Sequence, residues 1–167
     1  MVTNTDNPHV QLIRQSVTSS YTELNRLLEQ RLRHLPEQAL YTTHVEGEWT
    51  LMESLAHVIE FMPYWGDEIA KLVAEPGQNF GRTKEDEARI HAIEEHKHDS
   101  LETARGAFTR SYTYLDKVLS TLKDSDLELK GHHSKFGEQT LTWFIKDFVT
   151  DHLKNHIEQL NRCLEAL

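Results

Sequence analysis

The sequence predicts an all-α protein, a four-helix bundle of long amphipathic helices. Three observations carry that expectation. Four stretches repeat apolar residues at spacings of three and four, the period of a helix with one buried face. No stretch alternates apolar and polar residues convincingly, and 7 Gly and 4 Pro in 167 residues leave little material for the turns of an all-β fold. Each apolar stripe needs a covering surface, and four such helices supply it for one another.

After a polar start at 1–7, Val10, Ile13, Val17, Tyr21, Leu24, Leu28, Leu32 and Leu35 mark the first helix, and Pro36 ends it. Residues 37–48 connect to the second helix with no period of their own. That helix is announced by Trp49-Thr50-Leu51-Met52-Glu53, where Thr50 as N-cap and Glu53 three residues on form a capping box. Its stripe is Leu51, Leu55, Val58, Ile59, Met62, Trp65, Ile69 and Val73; Pro63 should kink it and Pro76-Gly77 should close it. Residues 78–83 read as a loop and 84–96 as a short, highly charged helix. Ser100 can cap the next long helix, whose stripe is Leu101, Ala104, Phe108, Ser111, Leu115, Val118 and Leu122, widened by Tyr112 and Leu119. Residues 123–139 read as a polar loop, with His132 and His133 exposed, and 140–167 as the final helix. The long connections leave up-down-down-up and up-down-up-down topologies both open.

The length fits one domain, 1–167, with a single core. With 27 acidic and 18 basic residues the formal net charge is -9, which argues against nucleic acid or an anionic membrane as partner. One cysteine, Cys163, permits no internal disulfide, and residues 1–11 lack the apolar run of a secretory signal. These features, with no long apolar run, point to a soluble, cytoplasmic protein that does not span a membrane. Cys163 itself reads as a small core residue.

The last helix carries the chemistry. His152 and His156 stand four apart, so their imidazoles lie about 6 Å apart along the axis and about 40° apart around it, within reach of one metal ion. With 11 histidines in the chain the spacing alone is a weak motif. Its face adds weight: Leu141, Ile145, Phe148, His152, His156, Gln159 and Cys163 fall on one stripe, so the histidines point toward the core. Buried imidazoles need partners, which either a metal or hydrogen bonds within the bundle would supply. A metal asks for a third ligand from another helix, and His57 is the candidate. On the helical wheel, however, His57 lies about 120° from the centre of its stripe, an exposed or half-buried position.

Trp49, Thr50, Glu53 and His57, followed by His152, His156 and Gln159, resemble the pattern of the DinB/YfiT-like helical bundles over nearly the whole chain. The resemblance implies that His57, His152 and His156 bind a divalent metal near one end of the bundle, overriding the wheel. Three imidazoles suit zinc or nickel, with iron or copper also compatible. It further implies a metal-dependent transferase acting with a low-molecular-weight thiol such as bacillithiol, mycothiol or glutathione. The alternatives are a metal-dependent hydrolase and a bundle that binds metal or a small ligand without turnover. A homodimer is also in keeping with the family. Glu60, Asp147 and Asp151 are candidates to orient the ligand rings, Glu53 is the cap partner, and Trp49 is a packing anchor beside the cap, with contact to substrate as the alternative. His91, His96 and His98 read as solvated histidines whose reach to the site is open.

Overall fold

A computed structural model describes residues 6–167; the first five residues of the expected polar start lie outside the described residues. Helix α1 (Pro8–Gln30) begins on a proline, whose missing amide is no loss in a first turn. Val10, Val17, Leu24 and Leu28 are buried, as the periodicity predicts. A 3-10 turn, Leu32–His34, carries the chain to Pro36, and the connection holds one short helix, α2 (Glu37–Leu40). At the start of α3 (Leu51–Ala74) the capping box is present. Thr50 Oγ1 accepts the Glu53 amide at 3.1 Å, and Glu53 Oε2 accepts the Thr50 amide at 2.8 Å. The charged helix α4 (Glu87–His96) starts later than the composition suggests, because Asp86 caps it, Oδ1 accepting the Arg89 amide at 2.9 Å. Ser100 caps α5 (Leu101–Ser120) through the Thr103 amide.

The final helix is not continuous. It comprises α6 (Leu141–Ile145), a π-helical turn at Lys146–Thr150, and α7 (Asp151–Glu165). A π turn takes up an extra residue and moves everything after it around the axis. The buried row accordingly includes Val149, Leu153, Leu160 and Leu164, with His156 and Cys163 retained, while Phe148, His152 and Gln159 of the expected stripe are half-buried.

Side-chain contacts give the helix directions. α1 runs antiparallel to α5, through Arg14 with Asp116 at 2.9 Å, Thr18 with Tyr112 at 2.9 Å, and Tyr21 with Thr109 at 3.3 Å. α3 runs parallel to α5: Asp67 bonds Tyr114 toward one end, and Met52, Ala56 and Ile59 share a small cavity with Thr103, Ala104 and Ala107 at the other. α3 runs antiparallel to the final helix, through Glu48 with Arg162 at 2.9 Å and Trp65 stacked on Phe148 at 4.6 Å. The four long helices therefore follow up-down-down-up, one of the two orders left open.

The loop expected at 123–139 instead contains a 3-10 turn, Asp124–Glu128, and an antiparallel hairpin of β1 (Lys130–His133) and β2 (Gly137–Thr140). Its strands have no apolar alternation to announce them; backbone pairing holds them. The segment after α3 joins them, with Gly77 N–H to Lys130 O at 2.8 Å, His132 N–H to Gln78 O at 3.0 Å and Phe80 N–H to His132 O at 2.9 Å. Gly131 allows the close approach, since a Cβ there would lie 2.9 Å from the buried Leu72 side chain and 3.2 Å from the Gln78 carbonyl. His133, expected to be exposed, is 1% exposed. Its ring is bonded on both sides: Nδ1 accepts the Lys135 amide at 3.0 Å and Nε2 donates to Arg82 O at 3.2 Å. Among the described residues no helix is long and apolar enough to cross a membrane.

Candidate metal centre

His57 sits two turns into α3, and His152 and His156 sit in the first two turns of α7, directly after the π turn. Because these helices run antiparallel in contact, the three rings meet. One ligand atom from each lies within 4.8 Å of the others. Nε2 of His152 is 3.1 Å from Nε2 of His57 and 2.8 Å from Nε2 of His156. The wheel reading of His57 as exposed or half-buried is corrected here: the residue is 3% exposed. A single-stripe wheel assumes one covered side, whereas α3 packs against α4, α5 and α7 together.

The outer ring nitrogens are already committed. His57 Nδ1 donates to Glu60 Oε1 and His156 Nδ1 donates to Gln159 Oε1, each at 2.9 Å. Both Nε2 atoms are therefore bare lone pairs aimed at His152 Nε2. His152 can offer one proton there, to one of them, so at least one of the two lone pairs faces the His152 nitrogen with no proton between them. A divalent cation relieves that repulsion, and imidazole bonds of about 2.0 to 2.1 Å correspond to a nitrogen spacing of about 3.3 Å around a tetrahedral ion. The donor set fits a metal. Burial keeps the rings neutral, lowering His57 to about 2, His152 to about 3 and His156 to about 4; proximity to His156, Arg89 and Arg82 adds to the effect on His57.

Glu60 is held in turn by Arg82, whose Nη2 donates to both carboxylate oxygens at 2.6 and 2.7 Å. The Arg82 guanidinium carbon lies over the Tyr64 ring, 3.8 Å from its centre, and the Arg82 carbonyl takes the bond from His133. A chain of contacts thus runs from the hairpin through Arg82 and Glu60 to a candidate ligand. Burial pushes the Glu60 carboxyl upward while Arg82 opposes the shift. Of the three carboxylates expected beside the rings, Glu60 is the one that bonds an imidazole of the group. Asp151 instead bonds Lys146 at 2.6 Å, and Asp147 lines the neighbouring cavity without bonding a ring. His91, His96 and His98 are not among the three residues brought together; His96 bonds Asp99 at 2.8 Å. Trp49 packs edge-on to His57 at 5.2 Å and stacks with His156 at 6.2 Å. Cys163 is buried, as a core residue should be.

Two cavities, of about 630 and 330 Å³, open on either side of the imidazoles and share His57, His152, His156 and Arg89. The larger is walled by Phe61, Trp65 and Phe148, with Arg82, Lys84 and Lys154 at its edge. Arg82, Lys84 and Arg89 are not part of the sequence motif. The one signal for Lys84 and Arg89 is the density of charge at 84–99, which by itself reads as a solvated face, and Arg82, in the stretch 78–83 read as a loop, has none.

The sequence model of the DinB superfamily matches residues 20–160. No curated protein matches the chain. Among solved structures, the chain is similar to YfiT from Bacillus subtilis, described as a probable metal-dependent hydrolase with an unusual four-helix bundle topology. The identity is 16%, the match covers 93% of this chain and 87% of YfiT, and the TM-score is 0.71. It is also similar to the colibactin self-resistance protein ClbS, solved in complex with a dsDNA, at 14% identity over 95% of this chain and 96% of ClbS, with a TM-score of 0.65. ClbS overturns the expectation that nucleic acid is no partner. A net charge of -9 is a sum over the whole surface, and contact depends on local clusters of cations, so the sum excludes nothing for this fold. With the family pattern matched over most of its length and the bundle in place, the chain belongs to the DinB superfamily.

Proposed function

We propose that the chain is a divalent-metal-dependent transferase, one domain spanning 1–167, that activates a low-molecular-weight thiol for attack on a small electrophile. The observation that carries the reading is the convergence of three neutral imidazoles, His57, His152 and His156, with their Nε2 atoms facing one another beside an open cavity. When bound there, a divalent cation supplies Lewis acidity, which keeps a thiol or a water as its anion near neutral pH. Glu60 and Gln159 hold two rings in the tautomer that presents Nε2, and Phe61, Trp65 and Phe148 offer an apolar wall to the electrophile. Sulfur forms the new bond to the electrophilic carbon while the leaving group departs with its electron pair and the thiol proton goes to solvent. A thiol asks less of the ion than water does, because a free thiol ionises at about pH 8.5 and water only at about 15.7, and both oxygens of the adjacent carboxylate, Glu60, are occupied by Arg82.

Metal analysis of untagged protein, with His152→Ala and His156→Ala alongside, tests the site; the wild type should hold about one zinc, nickel or iron ion and the variants far less. Conjugation of a chloro-dinitroarene by a panel of cellular thiols should then depend on that metal. Hydrolysis is the second reading, supported by the likeness to YfiT, and metal-dependent cleavage of an ester or amide panel without thiol conjugation would select it. No metal-dependent turnover of either kind would leave a binding bundle. A cytoplasmic homodimer belongs to the same proposal, and sedimentation at micromolar concentration tests the dimer.

A further inference from the structure

Arg89 is a half-buried cation with no carboxylate partner among the described residues. Its backbone is fixed by the Asp86 cap, and its guanidinium donates to Lys84 O at 2.9 Å and lies 5.3 Å over the Trp49 ring. That same ring touches His57 and His156, and Arg89 lines both cavities together with all three imidazoles. Arg82, by contrast, is consumed by Glu60. Glu60, Asp86 and Glu85 act on Arg89 through charge alone, none of them within ion-pair distance, and burial outweighs their pull; of the carboxylates lining the larger cavity, Asp151 is bonded to Lys146, and Asp147 and Glu158 are exposed. A guanidinium drawn partly out of water and left with donors to spare is a ready anion site.

We propose that Arg89 anchors an anionic group of the substrate, a carboxylate, sulfonate or phosphate of a small molecule whose reacting atom lies at the three histidines. The inference rests on the metal-site reading and names a substrate class for it. The concave setting, with Phe61, Trp65 and Phe148 in its lining, suits a small anion, and a nucleic-acid backbone, which Lys84 and Lys154 of the same lining would also meet, is an outcome of the test.

The test uses the cobalt-loaded protein and two thiols of equal length, mercaptopropanesulfonate and mercaptopropanol. Sulfonate is a poor metal ligand, so a difference between them reports the protein. The thiolate-to-cobalt absorption band gives each dissociation constant without turnover. Wild type should prefer the sulfonate about 10- to 100-fold, as a charge-assisted hydrogen bond supplies. Arg89→Gln should bind both thiols alike with its cobalt spectrum intact, and Arg89→Lys should recover part of the preference. Equal binding of both thiols by wild type overturns the proposal. Absence of the band with either thiol is a failure of the thiol reading, and a second measurement then decides the anion site alone. Propanesulfonate titrated into metal-free protein should shift the Arg89 Nε–H resonance saturably. No saturable shift overturns the proposal, as does a DNA duplex that binds in an Arg89-dependent way while propanesulfonate does not.

Discussion

At the scale of single residues, the three imidazoles make the metal-free protein acid-sensitive. Burial lowers His57 to about 2, His152 to about 3 and His156 to about 4, below the 6.5 of an unfolded histidine. Between those values the unfolded chain binds more protons than the folded one, so the stability is complete above about pH 6.5 and is lost as pH falls toward 4. Thermal melts of metal-free protein should show Tm falling on the order of 10 °C from pH 7 to pH 5, with a shallower fall in His152→Ala. A pH-independent Tm in the wild type would contradict the burial argument. Arg82 is the residue most exposed to test among those outside the motif. Arg82→Met leaves Glu60 without its cation and frees it from fixing His57, so metal affinity should fall about 10- to 100-fold in a competition titration.

At the scale of elements, the capping box and the π turn do different work. Thr50→Ala removes the oxygen that accepts the Glu53 amide. The variant should lose about 1 kcal/mol in denaturant unfolding, because one half-buried first-turn donor loses its partner. The capping motif was legible because its two partners are three residues apart. The π turn was not legible, since Lys146–Thr150 carries no residue type that demands it. It adds a residue between Ile145 and His152, and removing that residue would turn α7 by about 100° relative to α6. Deleting Asp147, which is exposed, should therefore abolish metal binding while far-UV circular dichroism stays near wild type. Full metal binding in the deletion would separate the turn from the aim of His152 and His156.

At the scale of the whole molecule, the candidate site joins α3 to α7, elements almost 100 residues apart in the chain. A metal that binds only the folded state stabilises it by mass action, about 4 kcal/mol at a thousand-fold excess over its dissociation constant. Zinc or nickel should raise Tm by about 8 to 16 °C at that excess in the wild type and leave His57→Ala unchanged. An equal rise in both would place the ion elsewhere.

The sequence by itself determined the four amphipathic helices, the caps at Thr50 and Ser100, and the His152–His156 pair. Each depends on residues three or four apart, and local spacing is enough to read them. The burial of Cys163 followed from the same periodicity, whereas of the three carboxylates expected beside the rings, Glu60, Asp147 and Asp151, only Glu60 bonds one. His57 was legible only through the resemblance, because its wheel position describes one helix face while three helices cover α3. The buried His133, the hairpin, the approach of Arg82 and Arg89, and the helix order were decided by tertiary structure. Their partners lie far along the chain, and a polar residue's burial is set by the hydrogen bonds that distant segments bring to it.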